Sequence, residues 1–260
     1  MGIEDNKKII TKINGFIHNW INPIFDPLYA HATLKGYGWF LRDYFRYRKL
    51  PGAERIDFFD TLPIVHEKIS TTSIDAHYFY QDWWAMQLVK ANQADLHVDV
   101  GSRAETIAHM SIFTNVTFLD IRPLKVGLKD LQSVAGSILS MPFEDNSIKS
   151  LSCLNVAEHI GLGRYGDTLD PMGTKKAAAE LARVLSLGGN LYFSVPIGQP
   201  RVYFNASRIH SVDTILNYFQ GLRLVELSGI TDANNFVRNI SPSELSSSRD
   251  ACGLFWFSKT

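Results

Sequence analysis

Apolar positions change their spacing near residue 95 of the chain. Before it they recur at helical intervals. After it, short runs of strand length alternate with helical periods, the pattern of βαβ units around a parallel sheet. The first helical stripe is Ile9, Ile10, Ile13, Phe16, Ile17, Trp20 and Ile21, with Lys7, Lys8 and Lys12 mostly off it. Asn22-Pro23 closes it, because the residue before a proline avoids the helical region. A helix over residues 6–22 must cover that stripe, against the protein's own body, against a second subunit as a homodimer contact, or on the inner face of an anionic membrane. A second stretch, Tyr37–Leu50, interleaves Trp39, Phe40, Tyr44, Phe45 and Tyr47 with Arg42, Arg46, Arg48 and Lys49. Such a mixture can stack bases and hold phosphates, but ordinarily it buries its rings and solvates its charges. Ala76–Lys90 is a further helix leading into the first strand.

Strands are expected at Leu96–Val100, Val116–Asp120, Ser133–Ile138, Ser150–Asn155, Asn190–Val195, Leu222–Ile230 and Cys252–Ser258. Helices fit Ala104–Phe113, Thr174–Leu185 and Ser211–Gln220, the last with Ser211 as N-cap. Ser186–Gly189 has the chemistry of a tight turn. The last two strands are separated only by a polar segment, Thr231–Asp250, with Pro242 and five serines. Without a crossover helix they should pair antiparallel. The organisation expected is a helical, aromatic-rich extension over residues 1–94 and an α/β domain over residues 95–260, with seven strands, mostly parallel, and a reversed last strand.

Composition narrows the function classes. Lys+Arg and Asp+Glu both total 26, so no whole-surface charge grips nucleic acid, and no nucleic-acid partner is expected. Cys153 and Cys252 lack metal-ligand spacing and are too few for a disulfide framework; they read as reduced core thiols. No apolar run reaches the length of a spanning helix. The lysines near the start precede no clean apolar core or cleavage site, and Asn6 stands where a myristoylation signal needs Ser or Thr. The expected address is the cytoplasm, with any membrane contact peripheral.

Three segments carry candidate chemistry. In His97-Val98-Asp99-Val100-Gly101-Ser102-Arg103 a buried strand ends on a small turn and a helix begins. Open α/β sheets bind ligands beyond the carboxyl ends of their strands, where the strand order reverses. Gly101 lets backbone approach a ligand, and Asp99 either meets a cofactor's amino group or orders the turn. Asp120, followed by Ile121, closes the next strand about twenty residues on, where an acid can accept both hydroxyls of an adenosine ribose. Asp120 can equally pair with Arg122. After the third strand, Ser137 and Ile138 can read an adenine edge and cover its face, with Met141 behind them.

The succession VDVGS, LDIRP, GSILSMPFEDNSIKSLSCLNVAEHI and ELARVLSLGGNLYFSVP resembles the seven-stranded, Rossmann-like methyltransferases that use S-adenosylmethionine (SAM), over residues 95–230 with 252–258 as the reversed strand. AEHIGLGRYGD and SVPIGQPRVYFNASRIHS resemble a branch associated with surface-sugar and polysaccharide biosynthesis. The resemblance implies SAM as cofactor and a small-molecule or glycan acceptor. By position it assigns Asp99, Gly101 and Ser102 to the methionine part, Asp120 to the ribose, Ser137 and Ile138 to the adenine, and Asn155 to the end of the fourth strand. Arg103 and Glu105 depart from it, standing where further glycines are usual; Arg103 either crowds the cofactor or binds its carboxylate.

Methyl transfer to a hydroxyl needs alignment and a base. His159 directly follows the fourth strand and is the first choice, with Glu158 orienting it or holding acceptor hydroxyls; His210 is the second. Arg201, Tyr203, Asn205 and Arg208, in the loop after the fifth strand, suit sugar hydroxyls or a phosphate. Tyr165 and Asp167 lie in a glycine-rich lid, Gly161–Gly173. Glu158, Asp167 and Asp170 give the one carboxylate set a magnesium ion would want, without ligand spacing, and no metal is expected. Two other functions compete with O-methylation of a saccharide or other small polar acceptor. One is a noncatalytic Rossmann-like module supporting a glycosyltransferase or a membrane-associated partner, suggested by Arg103 and Glu105. The other is an RNA methyltransferase, suggested by Tyr37–Lys49.

Overall fold

A computed structural model describes residues 26–260. The helix expected over residues 6–22 lies outside them. The chain forms two compact units that meet at Ser73 and Ile74. In the first, helix α1 (Pro27–Tyr47) begins well before Tyr37, because Asp26 caps it. The Asp26 carboxylate accepts from the amides of Leu28 and Tyr29, both at 2.9 Å, and Pro27 takes the first helical position, where no amide is needed. Tyr44 is buried, Phe45 is exposed, and Lys68 caps the Trp39 ring at 4.4 Å. Rings and charges of this helix thus partly satisfy one another within the unit.

The second unit opens with α2 (Ala76–Asn92), capped by Asp75, and continues through β1 (Leu96–Val100), α3 (Ala104–Met110), β2 (Asn115–Asp120), β3 (Leu131–Ala135) and β4 (Ile148–Leu154). Then come α4 (Gly173–Val184), β5 (Leu185–Ile197), a short hairpin β6 (Arg201–Tyr203) and β7 (Ser207–Ile209), and α5 (Val212–Tyr218). β8 (Arg223–Ile230), β9 (Phe236–Val237), α6 (Pro242–Ser246) and β10 (Ala251–Ser258) complete it. The sheet order is β3-β2-β1-β4-β5-β10-β8-β9. The strands from β3 to β5 are parallel; β10 runs antiparallel to both its neighbours, β5 and β8. The chain leaves β1 towards one edge and returns to β4, so the strand order reverses between β1 and β4.

Three details correct the sequence reading. The sheet has eight strands rather than seven, because Phe236–Val237 adds a two-residue edge to β8. Ser186–Gly189 is a bulge inside β5, not a turn: pairing with β4 passes from Ile148↔Leu185 to Ser150↔Asn190. Gly188 stays in the sheet by donating to the Lys259 carbonyl at 2.8 Å, while the Lys259 amide donates to Gly189 at 3.1 Å. The polar segment before β10 contains a helix, α6, started by Ser241 as cap and Pro242 behind it.

Alternation along the central strands fills both faces of the sheet. Phe255 and Phe257 of β10 join Phe193, Leu181, Ile215 and Phe219 under α4 and α5. Cys252 and Leu254 point the other way, to Trp84, Val89, Ile107 and Met110 of α2 and α3. Each such side chain contributes roughly 1.5–3 kcal/mol by leaving water. The Trp84 indole donates to Glu226 at 2.9 Å, so the ring is buried with its polar edge satisfied. Both cysteines are buried and unbridged, and burial pushes both thiols up. Among the described residues no helix is long and apolar enough to cross a membrane.

Candidate functional site

A cleft of about 650 Å³, counted out to its mouth, opens beyond the carboxyl ends of β1, β2 and β4, at the reversal of strand order. Gly101 forms its floor. Its φ is +69°, and a Cβ there would stand 3.0 Å from Val156 Cγ1 and 3.5 Å from Asp120 Oδ2. Asp120 projects from the end of β2. Its Oδ1 accepts from the Arg122 amide at 2.6 Å and lies 3.8 Å from that guanidinium. Its Oδ2 accepts no hydrogen bond among the described residues and faces the Gly101 backbone. Across from them, Ser137 Oγ accepts from the Leu139 amide at 3.1 Å, and Ile138 is buried. Gly136 is required beside them, since a Cβ would meet Leu119 Cδ1 at 2.6 Å. Ile121, Leu139 and Asn155 complete these walls.

Asp99 and Ser102 do not line the cleft. Asp99 is wholly buried and accepts from the Ser102 amide at 3.0 Å, the Ser102 hydroxyl at 2.7 Å and the Ser152 hydroxyl. Ser152, donating there, accepts from His97 Nε2 at 2.8 Å, while His97 Nδ1 meets Ser150 at 2.8 Å. Burial raises Asp99 to about 6 and lowers His97 to about 3. This network holds the turn that carries Gly101. Arg103 also lies outside the cleft walls: its guanidinium stacks 4.8 Å over Tyr78 and 3.5 Å from Glu105. It crowds nothing at Gly101.

His159 does reach the cleft, on the short turn after β4. Its Nδ1 meets the Ala206 carbonyl at 2.6 Å and so carries the proton, leaving the lone pair on Nε2. Burial lowers its pKa to about 4. Glu158 Oε1 stands 3.5 Å from Nε2, longer than a well-made hydrogen bond, and buried Glu158 Oε2 has no partner among the described residues. Burial pushes the Glu158 carboxyl up to about 8. His210, the second candidate base, is not in the cleft walls; it packs edge-on to Tyr218, its Nε2 has no partner among the described residues, and burial lowers it to about 4.

The loop after His159 is built in place. Gly161 has φ +82°, and a Cβ would lie 2.1 Å from the Asp170 carbonyl. Arg208 clamps it, donating to the carbonyls of Ile160 at 2.6 Å and Asp170 at 3.0 Å. That buried guanidinium is therefore structural, not free for an acceptor. Tyr165 and Asp167 line the cleft from this loop. Asp167 accepts from the amides of Gly161 at 2.6 Å and Tyr165 at 3.3 Å, and the amide bonds help hold its pKa down against the opposing effect of burial. Asp170 pairs with Lys176 at 2.6 Å. No group of three or more metal-ligating side chains forms among the described residues. Arg201 donates to Tyr203 at 2.9 Å and to two carbonyls; with Asn205 they lie on the exposed β6–β7 hairpin, outside the cleft walls. Two residues the sequence did not single out stand near Glu158 and His159, outside the cleft walls. Tyr78, half-buried on α2, has its pKa raised by burial and then by Glu158. Arg164 lies beside His159.

Comparison with solved structures identifies the architecture. The geranyl diphosphate C-methyltransferase of Streptomyces coelicolor A3(2) superposes with a TM-score of 0.52, covering 70% of this chain and 78% of its own at 14% identity. The chain has the methyltransferase fold. The N-methyltransferase NodS of Bradyrhizobium japonicum WM9, solved with S-adenosyl-L-homocysteine (SAH), gives 0.50 over 70% and 86%, at 15% identity. YcgJ of Bacillus subtilis gives 0.51 over 70% and 99%, at 12% identity. At these identities the likeness is one of fold. Residues 128–247 match a family described as Caenorhabditis protein of unknown function, DUF268. No curated protein matches the chain in sequence.

Proposed function

We propose that the chain is a SAM-dependent methyltransferase that methylates an oxygen of a saccharide or another small polar acceptor. What supports this above all is Asp120 Oδ2, which accepts no hydrogen bond among the described residues, in a cleft beside Gly101 at the reversal point of a methyltransferase-type sheet. A carboxylate there accepts the two ribose hydroxyls of a nucleoside. Ile121, Ile138 and Leu139 supply apolar surface for its base, so the residues present fit the cofactor.

When bound, SAM supplies a methyl group on a sulfonium, which an in-line displacement delivers to the acceptor. The chain's own part is alignment and proton handling. His159, fixed by Ala206, is neutral near pH 7, the state a base requires, and takes the acceptor's hydroxyl proton on Nε2. Glu158, protonated at that pH because burial lifts it to about 8, turns its carboxyl towards the same nitrogen. Asp167 and the Tyr165 hydroxyl offer hydrogen bonds of the kind a hydroxylated acceptor uses.

Calorimetric titration of the full chain with SAH tests the cofactor assignment. Saturable binding is expected; no heat and no rise in melting temperature with either SAH or SAM would leave a noncatalytic module instead. With radiolabelled SAM and a panel of sugar acceptors, His159→Ala should lose turnover and keep SAH affinity. Full turnover in that variant removes the imidazole from the proton transfer.

A further inference from the structure

The arginines around the cleft are not equivalent. Arg208 and Arg201 spend their donors on backbone carbonyls, and Arg103 pairs with Glu105. Arg122 stands beside Asp120 at 3.8 Å. Arg164 differs. One terminal nitrogen donates to the Ala206 carbonyl at 3.1 Å and lies 3.3 Å from His159 Nδ1. Its Nε and other terminal nitrogen make no hydrogen bond, and it forms no ion pair, among the described residues.

Its surroundings concentrate positive charge. Arg122 and Arg164 stand 4.3 and 5.2 Å from the centroid of the same ring, Tyr165. The loop carboxylate Asp167 has both oxygens engaged by the amides of Gly161 and Tyr165. Of the two guanidinium groups on this ring, Arg122 has a carboxylate beside it, Asp120, whereas exposed Arg164 pairs with none among the described residues. A guanidinium with an unused edge presents two parallel N–H donors, the geometry that phosphate and carboxylate take bidentately.

We propose that Arg164 anchors an anionic group of the acceptor, a phosphate or a carboxylate, so that the cleft methylates acidic or phosphorylated small molecules rather than neutral ones. This rests on the methyltransferase function proposed above. The cofactor site proposed above lies across the ends of β1 and β2, at Gly101 and Asp120. Arg164 instead stands on the loop after β4, joined through Ala206 to the β6–β7 hairpin. Its terminal nitrogen lies 3.3 Å from His159 Nδ1, so an oxyanion on its free edge binds beside the residue whose Nε2 is the proposed base.

The test uses the full chain saturated with SAH, titrated with inorganic phosphate and, separately, with acetate. The readout is the His159 Cε1–H NMR signal, assigned by its loss in His159→Gln. A saturable shift is expected in the wild-type chain and in Arg223→Gln, which lies on exposed β8 surface. Arg164→Gln should weaken binding at least about tenfold, and Arg164→Lys should retain part of it. The anion that saturates at the lower concentration tells phosphate from carboxylate. Equal binding by Arg164→Gln and wild type, or no shift with either anion, overturns the proposal. So does an anion that binds the free chain but is expelled by SAH, since Arg164 would then serve the cofactor's own carboxylate. If SAH does not bind at all, the methyltransferase function fails, and the same titration of the free chain still decides whether Arg164 holds an anion.

Discussion

Replacing Gly101 by alanine separates two consequences of one backbone conformation. At φ +69° an L side chain costs roughly 1–2 kcal/mol. The added methyl would lie 3.0 Å from Val156 Cγ1 and 3.5 Å from Asp120 Oδ2, inside the gap that the ribose would use. Gly188 provides the control, because its φ is +72° and a Cβ there meets nothing within 4 Å. Both Gly101→Ala and Gly188→Ala should therefore lose about 1–2 kcal/mol by the backbone alone. In a unit of this size that lowers the melting temperature by roughly 2–8 °C. Only Gly101→Ala obstructs the carboxylate. Loss of one hydrogen bond to a charged group is worth about 1.5–3 kcal/mol, so SAH affinity should fall at least about tenfold. Scanning calorimetry gives the first quantity and isothermal titration the second. Equal SAH affinity in the two variants would refute the assignment of the gap to the cofactor.

Asp120→Ala should leave the fold intact and lower SAH affinity by about tenfold or more, measured by isothermal titration; unchanged affinity would move the ribose elsewhere. Glu158 is raised from 4.5 to about 8 in the folded chain, so the native state holds a proton the unfolded chain releases. Its contribution to stability is thus full below about pH 4.5 and is lost as pH rises through 8. Glu158→Gln should gain stability relative to wild type between those limits in denaturant unfolding; a gap independent of pH would contradict this. Arg208→Met should cost about 1–3 kcal/mol by orphaning the carbonyls of Ile160 and Asp170, and should speed amide exchange across residues 160–173. Unaltered exchange there would show that the loop does not depend on the clamp.

The central strands were legible because short runs rich in Val, Leu, Ile and Phe, bounded by Gly, Asp or Asn, alternate with helical periods. What escaped were elements decided by distant partners. Ser-Leu-Gly-Gly at 186–189 has turn chemistry, and only pairing with Lys259 keeps it in the sheet. Phe236–Val237 is too short to carry a period. In the cleft, Gly101, Asp120, Ser137 and Ile138 could be picked out because each lies at or just after the end of a strand. Spacing does not say where a side chain points, so it could not show that Asp99 and Ser102 bond one another behind the cleft walls. Arg208 read as a loop donor because the carbonyls it satisfies lie about forty residues upstream. Tyr78 and Arg164 carry no local signal; the fold alone brings both to Glu158 and His159.

A crystal structure of the chain soaked with SAH tests the central claim most directly. The nucleoside should lie across the ends of β1 and β2 with its ribose hydroxyls within hydrogen-bond distance of Asp120 Oδ2. SAH bound elsewhere, or a ribose turned away from that carboxylate, would contradict it.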